Sequence, residues 1–234
     1  MSSIADNIGS VTRRIQKATM TAGRAPGSVR LLAVSKARPA ADLREAWQAG
    51  QRLFGESYLQ EALVKMVELE DLPDLEWHFI GPIQSNKTRQ IASAFHWVHS
   101  VDRLKIARRL SEQREARLPP LNICIQVNID REGSKAGCLP EEVKELATAI
   151  TELPNLNLRG LMAIPDPRAT EQERRGSFRR MADLLQHCQQ QLPGATGLDT
   201  LSMGMSGDLE DAIREGATIV RVGTDIFGSR PVQR

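Results

Sequence analysis

Two patterns of apolar and polar positions alternate along this chain. Short apolar runs stop abruptly at glycine or polar residues, and between them apolar residues recur every three or four positions. The first pattern is that of strands buried on both faces, the second that of helices with one apolar side. Ile4, Ile8, Val11, Ile15 and Ala18 open the chain with a helical stripe. Residues 31–34 form a first apolar run that ends at Ser35 and Lys36, and Leu43, Ala46 and Trp47 give a helix that Gly50 ends. Residues 52–56 and the stripe Leu59, Ala62, Leu63 and Met66 repeat the unit. The rhythm continues through strands at 75–80, 97–99, 121–127 and 156–162, with helices from about 85 to 94, over Leu104, Ala107 and Leu110, and after Pro140. Strands at 199–201 and 218–222, each followed by a short helix, bring the count to eight. The longest polar connections are 130–139 and 166–176.

Strands that alternate with helices form a parallel sheet, either open and doubly wound or closed. Eight units without a break in composition favour a single (β/α)8 TIM barrel over residues 1–234, with the opening helix as an addition. No G-x-G-x-x-G follows the first strand, so a dinucleotide-binding open sheet lacks its phosphate loop. In a barrel the carboxyl ends of all strands converge on one mouth. Lys36, Ser57, His78, Ser100, Asn128, Met162, the 202–206 loop and residues 221–224 stand at or near those ends.

The 31 basic and 29 acidic residues leave a formal charge of +2, too weak a field for nucleic acid or an anionic membrane. No apolar stretch reaches membrane-spanning length, and the opening stripe is amphipathic rather than signal-like, which predicts a cytoplasmic protein with small-molecule partners. The three cysteines show no C-x-x-C pair and the four histidines no ligand spacing, so neither a disulfide framework nor a metal is expected.

A lysine at a strand end, in partly apolar surroundings, is suited to attack an aldehyde or ketone. The plainer reading is a lysine that leaves the strand for solvent. Opposite it in chain order, Ser202-Met203-Gly204-Met205-Ser206-Gly207 and Val222-Gly223-Thr224 occupy the loops after strands seven and eight, where barrels bind phosphate through free N–H groups. Here the plainer reading is that Ser206 and Thr224 are ordinary helix N-caps. An amine and a phosphate site across one mouth suit a phosphorylated aldehyde, and pyridoxal 5′-phosphate is one. Arg221 would then lie at the height of a pyridine ring and, being always protonated, would keep its nitrogen unprotonated.

Six stretches together resemble the pyridoxal phosphate homeostasis protein family: Leu31-Leu32-Ala33-Val34-Ser35-Lys36, Phe54-Gly55-Glu56-Ser57-Tyr58, the run from Trp77 to Lys87, Gly160-Leu161-Met162-Ala163-Ile164-Pro165, Leu201-Ser202-Met203-Gly204-Met205-Ser206, and the run from Val220 to Gly228. The resemblance implies a barrel like the N-terminal domain of alanine racemase with pyridoxal phosphate held as a Schiff base on Lys36. It implies Arg221 at the pyridine nitrogen and Ser202, Ser206, Gly223 and Thr224 around the phosphate. Asn128, Met162, His78, Ser100 and Met205 would line the ring or its support. Ser57 stands where the family usually has asparagine, and its shorter side chain puts that contact in doubt.

Family likeness also implies cofactor carriage and homeostasis rather than catalysis, with other B6 vitamers and pyridoxal phosphate-dependent apoenzymes as further partners; a lone barrel whose modest apolar fraction shows no obvious interface is read as a monomer. An amino acid racemase is the alternative, and a Schiff-base aldolase a third reading. The sole tyrosine, Tyr58, leaves racemisation without the second base that alanine racemase draws from another domain. Lys135 reads as a solvent lysine, against a role in handing the cofactor on.

Overall fold

The computed structural model describes residues 3–133, 135–166, 168–192 and 197–229. Eight parallel strands, β1 (Arg30–Val34), β2 (Leu53–Glu56), β3 (Glu76–Phe79), β4 (Trp97–Val101), β5 (Leu121–Gln126), β6 (Leu156–Met162), β7 (Thr200–Ser202) and β8 (Ile219–Val222), pair in chain order and close into a barrel. Closure is direct: Ala33 registers with Phe54 of β2 on one side and with Val222 of β8 on the other. The apolar runs read as strands because both faces are covered. Leu32, Phe54, Val98, Ile123 and Val220 are fully buried, some toward the barrel axis and some toward the surrounding helices.

Helices α2 (Ala40–Gln48), α3 (Leu59–Glu68), α4 (Thr88–Ala94), α5 (Leu104–Gln113), α6 (Val143–Thr151), α7 (Glu171–Gln191), α8 (Leu209–Arg214) and α9 (Thr224–Phe227) follow their strands. The added helix α1 (Ile4–Thr21) starts in a capping box between Ser3 and Asp6 and packs against α2, α8 and α9. It is also pinned by charge. Arg14 meets Glu210 of α8 at 2.7 Å and Asp225 of α9 at 2.5 Å, and donates to the Ser206 carbonyl at 2.9 Å.

Two expectations change, and one plainer reading falls. The polar stretch 166–176 is only partly a connection: its second half is the start of α7, a helix of 21 residues. Its buried stripe of Phe178, Met181, Leu185 and Cys188 begins late, and the Arg- and Glu-rich opening conceals the helix from an apolar pattern. Ser206 and Thr224 are not N-caps. Asp208 and Gly223 occupy those positions, and Asp208 Oδ1 accepts the Met205 N–H at 2.5 Å. Finally, β4 runs on to Val101, so Ser100 lies inside a strand rather than beyond it. No described helix is long and apolar enough to cross a membrane.

Candidate functional site

Lys36 follows β1 by two residues and is half-buried. Its two neighbours are both held from behind. Ser35 Oγ donates to Glu56 Oε1 at 2.6 Å, and the buried Lys65 Nζ of α3 donates to the Ser35 carbonyl at 2.8 Å and to Glu56 Oε1 at 2.7 Å. Lys65 also meets Glu61 at 2.5 Å, and Glu61 accepts the Ala37 N–H at 2.7 Å. Ala37 has φ +60°, a left-handed conformation that costs a non-glycine residue energy and persists only where surroundings enforce it. Lys36 is therefore presented from a backbone fixed on both sides. Burial pushes the Glu56 carboxyl up, and the Lys65 ammonium and Ser35 hydroxyl pull against that rise.

Across the β1–β8 seam lies a set of unclaimed donors. Among the described residues, the N–H groups of Ser206, Gly207 and Gly223 and the hydroxyls of Ser206 and Thr224 have no protein partner. The loop that carries them is shaped by Gly204 at φ +93°, where a Cβ would lie 2.6 Å from the Ala212 methyl. At Gly223 a Cβ would stand 3.1 Å from the Val34 carbonyl, so this donor edge abuts the strand that ends near Lys36. Such a donor set suits an anion such as a phosphate group. Asp208, beside this loop, accepts the Met205 N–H, and burial pushes its carboxyl up.

Arg221 is fully interior, yet its guanidinium reaches the carboxyl ends of β6 and β7. Nη1 donates to the Ser202 carbonyl at 2.5 Å and to Ser202 Oγ at 2.8 Å, and Nη2 to the Ala163 carbonyl at 2.9 Å. Three of five N–H groups are spent on protein, leaving Nε–H and one Nη2–H for a group in the mouth. Burial lowers its pKa to about 10, which still leaves the guanidinium charged at neutral pH.

The other expected site residues divide by depth. Ser57, Met205 and Ser206 are half-buried and Thr224 exposed, all at the rim. Asn128 is half-buried and holds the following loop, donating to the Glu132 carbonyl at 2.8 Å and accepting the Glu132 N–H at 3.0 Å. Ser100 Oγ donates to the Gly81 carbonyl at 2.5 Å, and a Cβ at Gly81 would lie 2.2 Å from the Ser57 carbonyl, so these three residues lock one side of the mouth. Met162 is packed inside with Trp97 and Cys124. His78 and Ser202 also sit below the rim. Ser202 Oγ is buried and engaged by Arg221 and His99. Lys135 is not a free solvent lysine: it pairs with Glu132 and donates to the Ile164 carbonyl at 3.3 Å.

Sequence reading passed over Glu76, His99, Glu61 and Lys65. A signal existed for two of them. Residues two apart in a strand share a face, so Glu76 with His78 and Trp97 with His99 mark polar positions aimed into the barrel. Lys65 sat in a helical stripe as an apparent outward charge and gave no such sign.

The family model described as alanine racemase, N-terminal domain, matches residues 7–231. A pyridoxal phosphate homeostasis protein of Pseudomonas aeruginosa is 63% identical over 230 residues, 98% of this chain and 97% of that protein. Its namesake in Escherichia coli is 50% identical, with 98% of each chain covered. The structure of PipY from Synechococcus elongatus with pyridoxal phosphate bound superposes with a TM-score of 0.85 at 39% identity, over 97% of this chain and 100% of that one. Alanine racemase of Corynebacterium glutamicum shares the fold at 18% identity and a TM-score of 0.65, over 98% of this chain and 61% of that one.

Proposed function

The chain belongs to the pyridoxal phosphate homeostasis protein family, and from that premise we propose that it holds pyridoxal 5′-phosphate as a Schiff base on Lys36 and serves cofactor homeostasis rather than turnover. The observation that carries this reading is the pairing of a backbone-clamped lysine at the end of β1 with unclaimed N–H and hydroxyl donors at 206, 207, 223 and 224 across the adjoining seam. The cofactor supplies an aldehyde for the amine and a phosphate for the donors. A ring spanning those two anchors would lie over β8, with the free edge of Arg221 as the group to meet it. A permanent cation there disfavours a protonated ring nitrogen and weakens the ring as an electron sink, which suits retention better than catalysis.

Racemisation calls for a second acid–base group facing the lysine. The one tyrosine, Tyr58, begins α3 at the rim with its side chain largely in solvent, a poor place for a proton donor that must act in a shielded site. Partner apoenzymes and other B6 vitamers belong to the same proposal.

The test is the absorption spectrum of the purified protein before and after borohydride, with mass mapping. Visible absorbance that is bleached and trapped on Lys36, and lost in Lys36→Ala, is the expected result. No band after addition of pyridoxal phosphate would overturn the reading, and amino acid turnover lost in Lys36→Ala would replace homeostasis with racemase chemistry.

A further inference from the structure

An unbroken file of polar groups runs through the barrel interior from its amino-terminal end to Arg221. Glu76 Oε1 is 2.9 Å from His78 Nε2, His78 Nδ1 is 2.9 Å from His99 Nε2, His99 Nδ1 is 2.8 Å from Ser202 Oγ, and Ser202 Oγ is 2.8 Å from Arg221 Nη1. Both imidazoles and the serine are withdrawn from solvent. Trp97 stacks on His78 with ring centres 5.4 Å apart, and Arg30, 3.6 Å from Glu76, and Arg159 lie against the other parts of that indole.

The ends of the file dictate its interior. A guanidinium can only donate and an ionised carboxylate can only accept, while each imidazole and the hydroxyl between them has one role of each kind. One arrangement satisfies every link: Arg221 donates to Ser202, Ser202 to His99 Nδ1, His99 Nε2–H to His78 Nδ1, and His78 Nε2–H to Glu76. Burial holds both histidines neutral, His78 with a pKa lowered to about 4 and His99 well below its ordinary value, and the His78 N–H keeps the Glu76 carboxyl low. All four bonds point the same way. Aligned hydrogen bonds in a low-dielectric interior polarise one another, so the carboxylate's influence is carried along the file.

We propose that Glu76 is a positioning residue for the cofactor site, acting through His78, His99 and Ser202 to fix the Nη1 edge of Arg221 and to balance part of its charge. The inference rests on the reading of Arg221 as the group beneath bound pyridoxal phosphate. It explains why a barrel core spends two histidines and a serine where apolar side chains would pack more simply: the file delivers a counter-charge to Arg221 without placing a carboxylate beside the cofactor.

The test uses Glu76→Gln, which keeps an acceptor for His78 but removes the charge, and Ser202→Ala, which cuts the file. With Glu76→Gln, loading on Lys36 stays complete by borohydride trapping. A guanidinium relieved of its counter-charge repels a proton on the nearby lysine-bound nitrogen more strongly, so the pH midpoint of the bound cofactor's visible absorbance falls by about half a unit or more. Ser202→Ala moves it in the same direction, and the double variant no further than Ser202→Ala alone. An unmoved midpoint in Glu76→Gln, or shifts that add, would overturn the proposal. Nitrogen-15 NMR of the cofactor-free wild type decides the file by itself: both histidines are expected neutral with the proton on Nε2 at pH 7, and an Nδ1–H tautomer at either one refutes it. Failure of the wild type to load on Lys36 would instead refute the reading of the site.

Discussion

Lys65 and Glu56 face each other at 2.7 Å behind the β1 strand end, with 4% and 0% of their side chains exposed. This pair also holds Ser35, so the stability of the barrel and the presentation of Lys36 share one ion pair. Lys65→Met leaves a buried carboxylate without its cation, a change that costs about 3–5 kcal/mol. Urea unfolding is expected to register the loss more strongly at pH 8 than at pH 5, because a Glu56 freed of Lys65 takes up a proton in acid. Adding Glu56→Gln should recover part of it.

Acid sensitivity is expected from the interior histidines. His78, lowered to about 4, and His99, held well below its ordinary value, refuse protons in the folded state that they accept in the unfolded chain at their ordinary value of 6.5. Their contribution is complete above pH 6.5 and is lost as pH falls toward 4, with a slope of up to about 1.4 kcal/mol per pH unit for each histidine. Glu56 and Asp208, raised by burial, oppose this by taking up protons earlier when folded. Denaturant melts between pH 7 and 4.5 should show the net decline, and His99→Gln should flatten it by about one proton.

Gly81→Ala should loosen the mouth. Its new Cβ would stand 2.2 Å from the Ser57 carbonyl, a backbone atom that cannot swing aside. Overpacking of this kind costs about 1–3 kcal/mol. The cofactor's off-rate is expected to rise along with the drop in melting temperature, whereas Gly133→Ala, with nothing within 4 Å, should leave both unchanged.

Arg14→Ala separates the two anchors that the proposed function assigns to the ligand. Arg14 braces the Ser206 carbonyl and ties α1 to α8 and α9, but its bonds do not extend to the Lys36 segment. The preference for pyridoxal phosphate over unphosphorylated pyridoxal is expected to fall about fivefold, the equivalent of one hydrogen bond's ~1 kcal/mol. Competition for Lys36, followed by trapping, measures the ratio.

The fold, and the strand ends where the candidate anchors stand, were legible because they follow from local rules. Apolar runs against helical stripes gave the eight units, and Lys36, Gly223 and Thr224 stand within two residues of strand ends. Three features needed the three-dimensional arrangement. The opening of α7 carries Arg and Glu where an apolar stripe would announce a helix, so its packing begins only at Ser177 and Phe178. Lys65 reads as a surface charge until α3 is laid over β2 and the amine is seen turned inward. Ser202 ends β7 beside the loop that carries Ser206, and its bonds to Arg221 and His99 appear only once the strands are brought together.

The docking of α1 has a consequence for how the protein is made. Asn7 donates to the Ile226 carbonyl, Arg14 reaches Asp225, and β1 closes on β8, all across about 190 to 220 residues of sequence. On the ribosome the first helix emerges long before its partners, and β1 waits with one edge unpaired until nearly the whole barrel has been synthesised. Contacts of such long range form late and slowly. The donor loops at 206 and 223 are completed by that same closure, so on the proposed reading cofactor capture would come at the end of folding, and a free supply of it is expected to pull nascent barrels through their last step by mass action.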